Sequence, residues 1–315
     1  MPFEPEAQSY FHLQSQKTIR AAIPCRGVGV HTGAHVTMTL HPAPAGSGIR
    51  FRRSDRGGAT IAANWRNVVD SPLCTTLTNR EGISIATVEH LMAALCGAEI
   101  DNLLIDLDGP EVPVMDGSAE PFLFLIERAG VVEQQAPRRA VKVLRPVRVV
   151  DQDRMVMLVP DGGFSVSFEI DFPNELVRRQ RIDVTMDYES FRADIARART
   201  FALIEDVERM RSAGLARGGS LDNAVVVDGA KILNKDGLRF ADEFVRHKVL
   251  DAVGDLYLAG GPLVGHFLGV RSGHALNRRL LNVLFANRSA WCYTTLAAGE
   301  VAAEADWASA RLARA

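Results

Sequence analysis

A histidine and two carboxylates lie at intervals of four residues in a helix-compatible stretch near the C-terminal end of the chain, at His247, Asp251 and Asp255. Residues four apart on an α-helix project from nearly the same side. His247 and Asp251 can therefore reach one cation, with Asp255 a turn further along. A solvated pair of opposite charges has the same spacing, and it is the alternative interpretation of this stretch.

Two other segments strengthen the case for metal chemistry. Residues 87–90 (TVEH) place Glu89 beside His90 at the start of an apolar helical run, and residues 271–277 (RSGHALN) place His274 in a tight turn. Histidine and carboxylate groups are zinc ligands, and they are also the groups that transfer protons in hydrolysis. The segments together supply two proton-transfer groups and three candidate ligands, which are His90, His247 and Asp251.

Composition indicates a globular protein with two domains. The chain has 315 residues, of which 47% are hydrophobic, and its formal net charge is −2. A chain of this length usually forms two domains with cores of ordinary size. Its acidic and basic residues are interspersed, so it lacks the broad basic field of a nucleic-acid-binding protein.

Three features of the sequence predict a cytoplasmic location. The first 16 residues carry Glu4 and Glu6 and lack the basic and apolar regions of a signal peptide. No apolar run approaches the roughly 18 residues of a membrane span. The four cysteines are scattered without a C-x-x-C spacing, as expected for reduced thiols.

The order of predicted elements repeats in the two halves. Each half has two strands expected to form a hairpin, then a helix, a strand and a second helix, and His90 and His247 fall at equivalent points. The first half places these elements at 36–40, 48–51, 89–96, 103–107 and 119–129, and the second at 155–159, 164–168, 243–258, 264–270 and 275–284. We predict an α+β fold with two domains of similar topology, built from duplicated β-α-α-β units with helices sandwiched between sheets.

The boundary between the domains is expected in the polar, proline-containing segment 133–139. This gives a first domain at 1–135 with an insert near 65–80, and a second at 136–315 with a βαβ insert near 200–228. The second insert is more apolar than a surface loop, so it is either an ordinary packed satellite or the wall of an apolar channel. If the halves pack through their helices, His90 meets His247 and Asp251 in the cleft between them.

Several spaced motifs resemble the family of zinc-dependent UDP-3-O-acyl-N-acetylglucosamine deacetylases (LpxC), which perform the committed step of lipid A synthesis. The resemblance extends from about residue 16 to about residue 287. It depends on residues 27–33 (GVGVHTG), 84–91 (SIATVEHL), 113–119 (PVMDGSA), 198–201 (ARTF), 237–240 (GLRF), 246–255 and 272–275 (SGHA). The resemblance implies the two-domain α+β fold, a Zn²⁺ cofactor and the acylated UDP-sugar as substrate.

The same resemblance implies a role for each residue of the centre. His90, His247 and Asp251 would hold zinc, because three protein ligands leave a fourth position for water. Glu89 would act as general base, and the Thr200 hydroxyl would stabilise the oxyanion. Protonated His274 would give electrostatic stabilisation and donate a proton to the leaving amine, with Asp255 orienting its ring.

Further positions match the family's substrate contacts. Lys248 would meet a phosphate, although a helical lysine is often only solvated. Asp171 and Phe172 match positions near the nucleotide and sugar, where Phe172 either stacks on uracil or belongs to the core. Phe201 would line the cleft, and Cys74 lies near the metal without being a ligand. His31, in the glycine-rich motif at 27–33, is a weaker candidate for the cleft.

Three functions of different classes remain open from the sequence. The favoured one is hydrolysis of the 2-acetamido group of UDP-3-O-acyl-N-acetylglucosamine, with the second insert holding the acyl chain. The alternatives are a zinc amidohydrolase acting on another amide and a non-catalytic binding protein on the same scaffold. Nitrogen and oxygen ligands suit ferrous iron as well as zinc. We expect a monomer that binds no nucleic acid.

Overall fold

Two main mixed sheets with helices between them, together with three smaller sheets, form the fold in a computed structural model that describes residues 13–297. The predicted domain limits at residues 1 and 315 lie outside this range. The strands of the first half are β1 (Ser15–Ile19), β2 (Ile23–Val28), β3 (His35–Pro42), β4 (Ile49–Arg53), β5 (Ala59–Ala62), β6 (Val68–Val69), β7 (Thr76–Thr78), β8 (Ser84–Ile85), β9 (Leu103–Leu107) and β10 (Val131–Pro137). The α-helices of this half are α1 (Glu89–Gly97) and α2 (Glu120–Ala129), and short 3-10 helices lie at Ser54–Arg56 and Trp65–Asn67.

The second half has a similar content. Its strands are β11 (Arg139–Val143), β12 (Val147–Asp151), β13 (Arg154–Val159), β14 (Phe164–Asp171), β15 (Arg179–Thr185), β16 (Phe201–Leu203), β17 (Val225–Asp228), β18 (Lys231–Ile232), β19 (Leu263–Val270) and β20 (Trp291–Thr295). Its α-helices are α3 (Tyr188–Ser190), α4 (Ile204–Ser212), α5 (Glu243–Tyr257) and α6 (His274–Ala286), and a π-helix at Phe191–Ile195 follows α3.

The two main sheets share one topology. The first has the order β2-β3-β9-β4-β5, in which only the pair β4-β9 is parallel. The second contains the order β12-β13-β19-β14-β15, in which only β14-β19 is parallel, and β11 and β20 extend it beside β19. In each half a buried helix precedes the central strand and another helix follows it. The α+β class and the similar topology of the two units are thus confirmed.

The two predicted hairpins are wrong. β9 lies between β3 and β4, and β19 lies between β13 and β14, so the strands expected to pair across each turn are separated by a later strand. The true hairpins join β2 to β3, β4 to β5, β12 to β13 and β14 to β15. The reason is burial, since nearly every residue of β19 and alternate residues of β9 are buried. An apolar strand of this kind is covered best in the centre of a sheet.

The segment predicted as a domain boundary forms β10, which pairs antiparallel with β1. The five-stranded sheet uses residues 23–107, and the larger sheet uses residues 139–295. The division of the chain near residue 135 remains a prediction. Within residues 13–297, no helix is long and apolar enough to cross a membrane.

Both inserts form small sheets. The first is the three-stranded sheet β6-β7-β8, and the second is β16-β17-β18 with α4. β16 and β17 run parallel on either side of α4, which is the βαβ arrangement expected from the sequence.

Helices α1 and α5 pack against each other between the sheets, and almost all of their side chains are buried. α1 is apolar on nearly every side, as expected for a helix inside a protein, whereas α5 also buries polar residues, among them His247, Asp251 and Asp255. The contact is very close at Gly254, where an added Cβ would lie 2.0 Å from the backbone oxygen of Glu89. This glycine therefore lets α5 approach the first turn of α1.

Candidate active site

Three candidate metal ligands meet where α1 packs on α5. One ligand atom from each of His90, His247 and Asp251 lies within 4.8 Å of the others, and all three residues are buried. Asp251 Oδ1 lies 3.5 Å from His90 Nε2 and 3.4 Å from His247 Nε2, yet it accepts no hydrogen bond. A buried carboxylate oxygen without a donor, facing two imidazole nitrogens, fits a divalent cation bound between them.

His247 and Asp251 are in the charge states that metal ligation needs. Burial lowers the pKa of His247 to about 4, so its imidazole is neutral at pH 7. Its Nδ1 lies 3.1 Å from the carbonyl oxygen of Ala198, which leaves Nε2 as the free lone pair. Burial alone would raise the pKa of Asp251, but His247 and Lys248 outweigh it and hold that pKa well below its ordinary value.

A strained residue positions the start of α1. Thr87 has φ 59°, a left-handed conformation that is unusual for a β-branched residue. Its hydroxyl donates to Glu111 Oε1 at 2.9 Å, and Glu111 also accepts from the backbone nitrogens of His31 and Thr32. Glu111, which is fully buried, thus joins the glycine-rich motif to the turn that aims Glu89 and His90 into the cleft.

Glu89 is held as a buried carboxylate beside the ligands. Its Oε2 accepts a hydrogen bond of 2.9 Å from the backbone nitrogen of Thr75, and its Oε1 lies 3.9 Å from His274 Nε2. Burial raises the pKa of Glu89, and His274 and His90 oppose that shift. A carboxylate with a raised pKa is a better proton acceptor for a reaction near neutral pH.

His274 is an imidazolium surrounded by carboxylates. Its Nδ1 donates to Asp255 Oδ2 at 2.8 Å, and its Nε2 lies 3.9 Å from Asp251 Oδ2. Burial would lower the pKa of His274, but the charges of Asp255 and Glu89 outweigh it and raise the pKa to about 10. The ring can therefore donate a proton at neutral pH.

Thr200 lines the same cavity and is fixed through its backbone. Its nitrogen donates to the carbonyl of Gly117 at 2.8 Å, and its own carbonyl accepts from Val225 at 2.7 Å. Gly117 has φ 84°, and a Cβ there would lie 2.1 Å from the carbonyl oxygen of Asn223. The motif at 113–119 therefore provides a turn that only glycine fits, against which Thr200 is placed.

The site opens into a cavity of about 620 Å³. One end holds the candidate ligands and proton-transfer residues, and the other is bounded by the second insert. The apolar lining residues of the insert are Phe201, Ala202, Ile204, Val207, Met210, Ala216, Leu221, Ala224 and Val226, and Leu233 lines the cavity just after β18. The insert thus contributes an apolar part of the cavity wall, and its use as a channel for an acyl chain remains a prediction.

The predicted substrate contacts occupy different surroundings. Lys248 lines the cavity, and its Nζ contacts Asp251 Oδ2. Phe201 also lines it, with its ring 4.9 Å from Phe244. Phe172 packs edge to face on Phe201 at 5.6 Å, and Asp171 lies 3.5 Å from an Arg271 nitrogen. Asp171 and Phe172 are not among the cavity-lining residues of the described chain, so their assignment remains a prediction.

Two weaker candidates lie where the sequence suggested. His31 lines the cavity, and its Nδ1 is buried without a hydrogen-bond partner. Cys74 is buried near Glu89, and its sulfur contacts the hydroxyls of Ser71 and Thr76. It is not part of the candidate ligand group.

Sequence reasoning missed three polar residues that hold the site together. Asn277 donates to Asp255 Oδ2 at 2.8 Å, Glu111 supports the turn before α1, and Thr75 contacts both Glu89 and Asp255. Asn277 stands one helical turn after His274, so its spacing could have revealed it. Glu111 and Thr75 carry no comparable signal, because their contacts join segments distant in the sequence.

Known proteins resemble the chain over both halves. A family model described as UDP-3-O-acyl N-acetylglycosamine deacetylase (LpxC) matches residues 16–286. The chain is 51% identical over 279 residues to the UDP-3-O-acyl-N-acetylglucosamine deacetylase of Acidithiobacillus ferrooxidans, which covers 88% of this chain and 91% of that relative. Proteins of the same name from Shewanella baltica and Shewanella oneidensis are 48% identical with the same coverage.

Proposed function

Because this chain belongs to the UDP-3-O-acyl-N-acetylglucosamine deacetylase family, we propose that it hydrolyses the 2-acetamido group of UDP-3-O-acyl-N-acetylglucosamine and releases acetate. This reaction is the committed step of lipid A biosynthesis. The observation that carries the proposal is the convergence of His90, His247 and Asp251 with Glu89 and His274 at one end of an apolar cavity.

We propose zinc as the metal, held by His90, His247 and Asp251. The unpartnered Asp251 Oδ1 and the neutral His247 ring support this choice. When bound, zinc would lower the pKa of water and polarise the acetamide carbonyl. Lys248, on the outer oxygen of Asp251, would limit rotation of that carboxylate.

The protein side chains would divide the proton transfers. Glu89 takes a proton from the attacking water, whose oxygen forms a bond to the carbonyl carbon. The Thr200 hydroxyl donates a hydrogen bond to the oxygen that becomes negative. As the carbon–nitrogen bond breaks, His274 gives its proton to the departing amine, and Asp255 holds the ring through Nδ1.

The second insert would select the lipid part of the substrate. Its apolar wall can cover the methylene groups of a 3-O-acyl chain, at about 0.8 kcal/mol for each buried group. We propose that Lys248 and Phe201 contact the polar part of the substrate at the cavity, and that Asp171 and Phe172 contact the nucleotide side.

We place the reaction in the cytoplasm and expect a monomer. All four cysteines are unpaired thiols, which persist in a reducing compartment. Analytical ultracentrifugation would measure the oligomeric state.

The test is deacetylation of UDP-3-O-acyl-N-acetylglucosamine by purified protein, before chelation, after chelation, and after zinc is restored. We expect chelation to abolish turnover and zinc to restore it. No turnover by metal-loaded protein would contradict the proposal. Turnover that is independent of the acyl chain would favour a zinc amidohydrolase with another natural amide, whereas binding without turnover would favour a non-catalytic role.

A further inference from the structure

One threonine contacts both carboxylates that serve the proton transfers. The backbone nitrogen of Thr75 donates to Glu89 Oε2 at 2.9 Å, and its hydroxyl donates to Asp255 Oδ1 at 2.5 Å. Thr75 is 4% exposed, so both hydrogen bonds are shielded from water. Its carbonyl also accepts from the nitrogen of Val88, at 3.3 Å, just before α1.

These contacts leave one oxygen of each carboxylate directed at the reaction centre. Glu89 Oε1 faces His274 Nε2 at 3.9 Å, and Asp255 Oδ2 accepts from His274 Nδ1 at 2.8 Å. The opposite oxygens are the ones that Thr75 holds. A carboxylate fixed through one oxygen cannot rotate freely, so the direction of the other is set.

The first insert keeps Thr75 in place. β7 begins at the next residue and pairs with β6 on one side and β8 on the other. Leu77 of β7 is fully buried, which anchors the strand in the core. Ser71, Pro72 and Leu73, just before Thr75, line the cavity. The insert therefore joins the substrate cavity to the two carboxylates.

We propose that Thr75 is a positioning residue for this reaction, which orients Glu89 directly and His274 through Asp255. The inference depends on the proposed deacetylase function for its kinetic consequence. It also assigns a role to the first insert, which the sequence identified without a function. Loss of the Thr75 hydroxyl leaves Asp255 Oδ1 buried without its donor, so the carboxylate is held through Oδ2 alone and the His274 ring is oriented less firmly.

The kinetic test compares three single variants. Thr75→Val keeps the shape of the side chain and removes the hydroxyl, whereas Thr75→Ser keeps the hydroxyl. Thr76→Val is the matched control, because the Thr76 hydroxyl contacts Cys74 and neither carboxylate. We expect Thr75→Val to lower kcat by about 10- to 100-fold, with KM and bound zinc unchanged. Thr75→Ser and Thr76→Val should behave like the unsubstituted protein.

A double-mutant cycle with His274→Ala separates positioning from a general loss of structure. If Thr75 acts through Asp255 and His274, the effect of Thr75→Val on kcat should largely disappear in the His274→Ala background. Additive effects would overturn the inference, and so would equal losses in Thr75→Val and Thr75→Ser. If circular dichroism shows that Thr75→Val is unfolded, Thr75→Ala takes its place, because it adds no atoms.

A measurement without substrate distinguishes this inference from the proposed function. The hydrogen-bonded Nδ1 proton of His274 can be observed by NMR and assigned by its absence in His274→Ala. We expect Thr75→Val to shift this resonance and Thr76→Val to leave it in place. If the unsubstituted protein does not deacetylate the substrate but Thr75→Val still shifts the His274 resonance, the positioning role is supported and the proposed function is wrong. If the unsubstituted protein deacetylates the substrate but Thr75→Val changes neither the resonance nor kcat, the inference about Thr75 is wrong and the proposed function stands.

Discussion

His274 Nδ1 and Asp255 Oδ2 lie 2.8 Å apart, as a partly buried, charge-assisted hydrogen bond at one edge of the candidate metal centre. Asp255 accepts two further hydrogen bonds, from Thr75 and Asn277, so its carboxylate is held on three sides. The pair keeps the His274 ring protonated in an environment whose burial would otherwise make it neutral. The proton donation that we propose for His274 at neutral pH therefore depends on Asp255.

The first prediction concerns the pH dependence of kcat/KM. With the pKa of His274 raised to about 10, the ring stays charged through the neutral range and loses its proton as the pH rises through that value. Glu89 must be ionised, so activity falls on the acid side as it gains a proton. We expect a bell-shaped profile, and Asp255→Asn should move its alkaline limb to lower pH by about one to three units. His274→Ala should alter the alkaline limb of the profile, and Glu89→Ala should flatten its acid limb. If both variants keep the unsubstituted profile, the roles assigned to Glu89 and His274 are wrong.

The second prediction separates the general base from the metal ligands. Glu89→Gln should lower kcat by about 10²- to 10⁴-fold while bound zinc stays near one per chain. Asp251→Ala should lose both metal and activity, because it removes the oxygen that faces His90 and His247. Metal content by mass spectrometry and kcat would be measured on the same samples. Equal metal loss in the two variants would mean that the ligand set is wrong.

The third prediction concerns the contact between α1 and α5. Glycine to alanine inside a helix usually stabilises a protein by about 0.5–1 kcal/mol, but at Gly254 the new Cβ would meet the backbone of Glu89 at 2.0 Å. We expect Gly254→Ala to lower the free energy of unfolding in urea by about 1–3 kcal/mol. Gly273→Ala is the control for stability, since nothing lies within 4 Å of its added Cβ. Stabilisation by Gly254→Ala would contradict the close approach of the two helices.

The fourth prediction tests the apolar channel. Ala224 lines the cavity in the second insert, so Ala224→Phe should shorten the space available to the acyl chain. Exclusion of two methylene groups, at about 0.8 kcal/mol each, corresponds to a fall of about tenfold in kcat/KM for a long-chain substrate. A 3-O-acetyl analogue should be much less affected.

The control for the channel is Ala213→Phe, because Ala213 is exposed at the end of α4 and is not a lining residue. Equal losses for the long-chain and acetyl substrates in Ala224→Phe would place the acyl chain elsewhere.

Spacing on single helices was the part of the site that the sequence could predict. His247 and Asp251 share a face because they stand four residues apart, and Glu89 and His90 begin the helix that packs on that face. The hairpins could not be predicted, since the sequence shows the turn between two strands but not a later strand that enters between them. Thr75 was missed for a similar reason, because its partner Asp255 lies 180 residues away in the sequence.

The central position of β19 also constrains the order in which the protein can fold. β19 begins at Leu263, 92 residues after β14 ends at Asp171, and it must enter between β13 and β14. Strand pairings over such distances slow folding, because the conformational entropy of closing the loop is lost before the strand contacts form and stabilise the chain. During synthesis the inner edges of β13 and β14 lack their partner until most of the chain has been made, which exposes them to wrong association. α5 precedes β19 directly, so the helix that carries His247 and Asp251 is synthesised just before the strand that joins β13 to β14. During synthesis, the three candidate metal ligands can therefore come together only after most of the chain has been made.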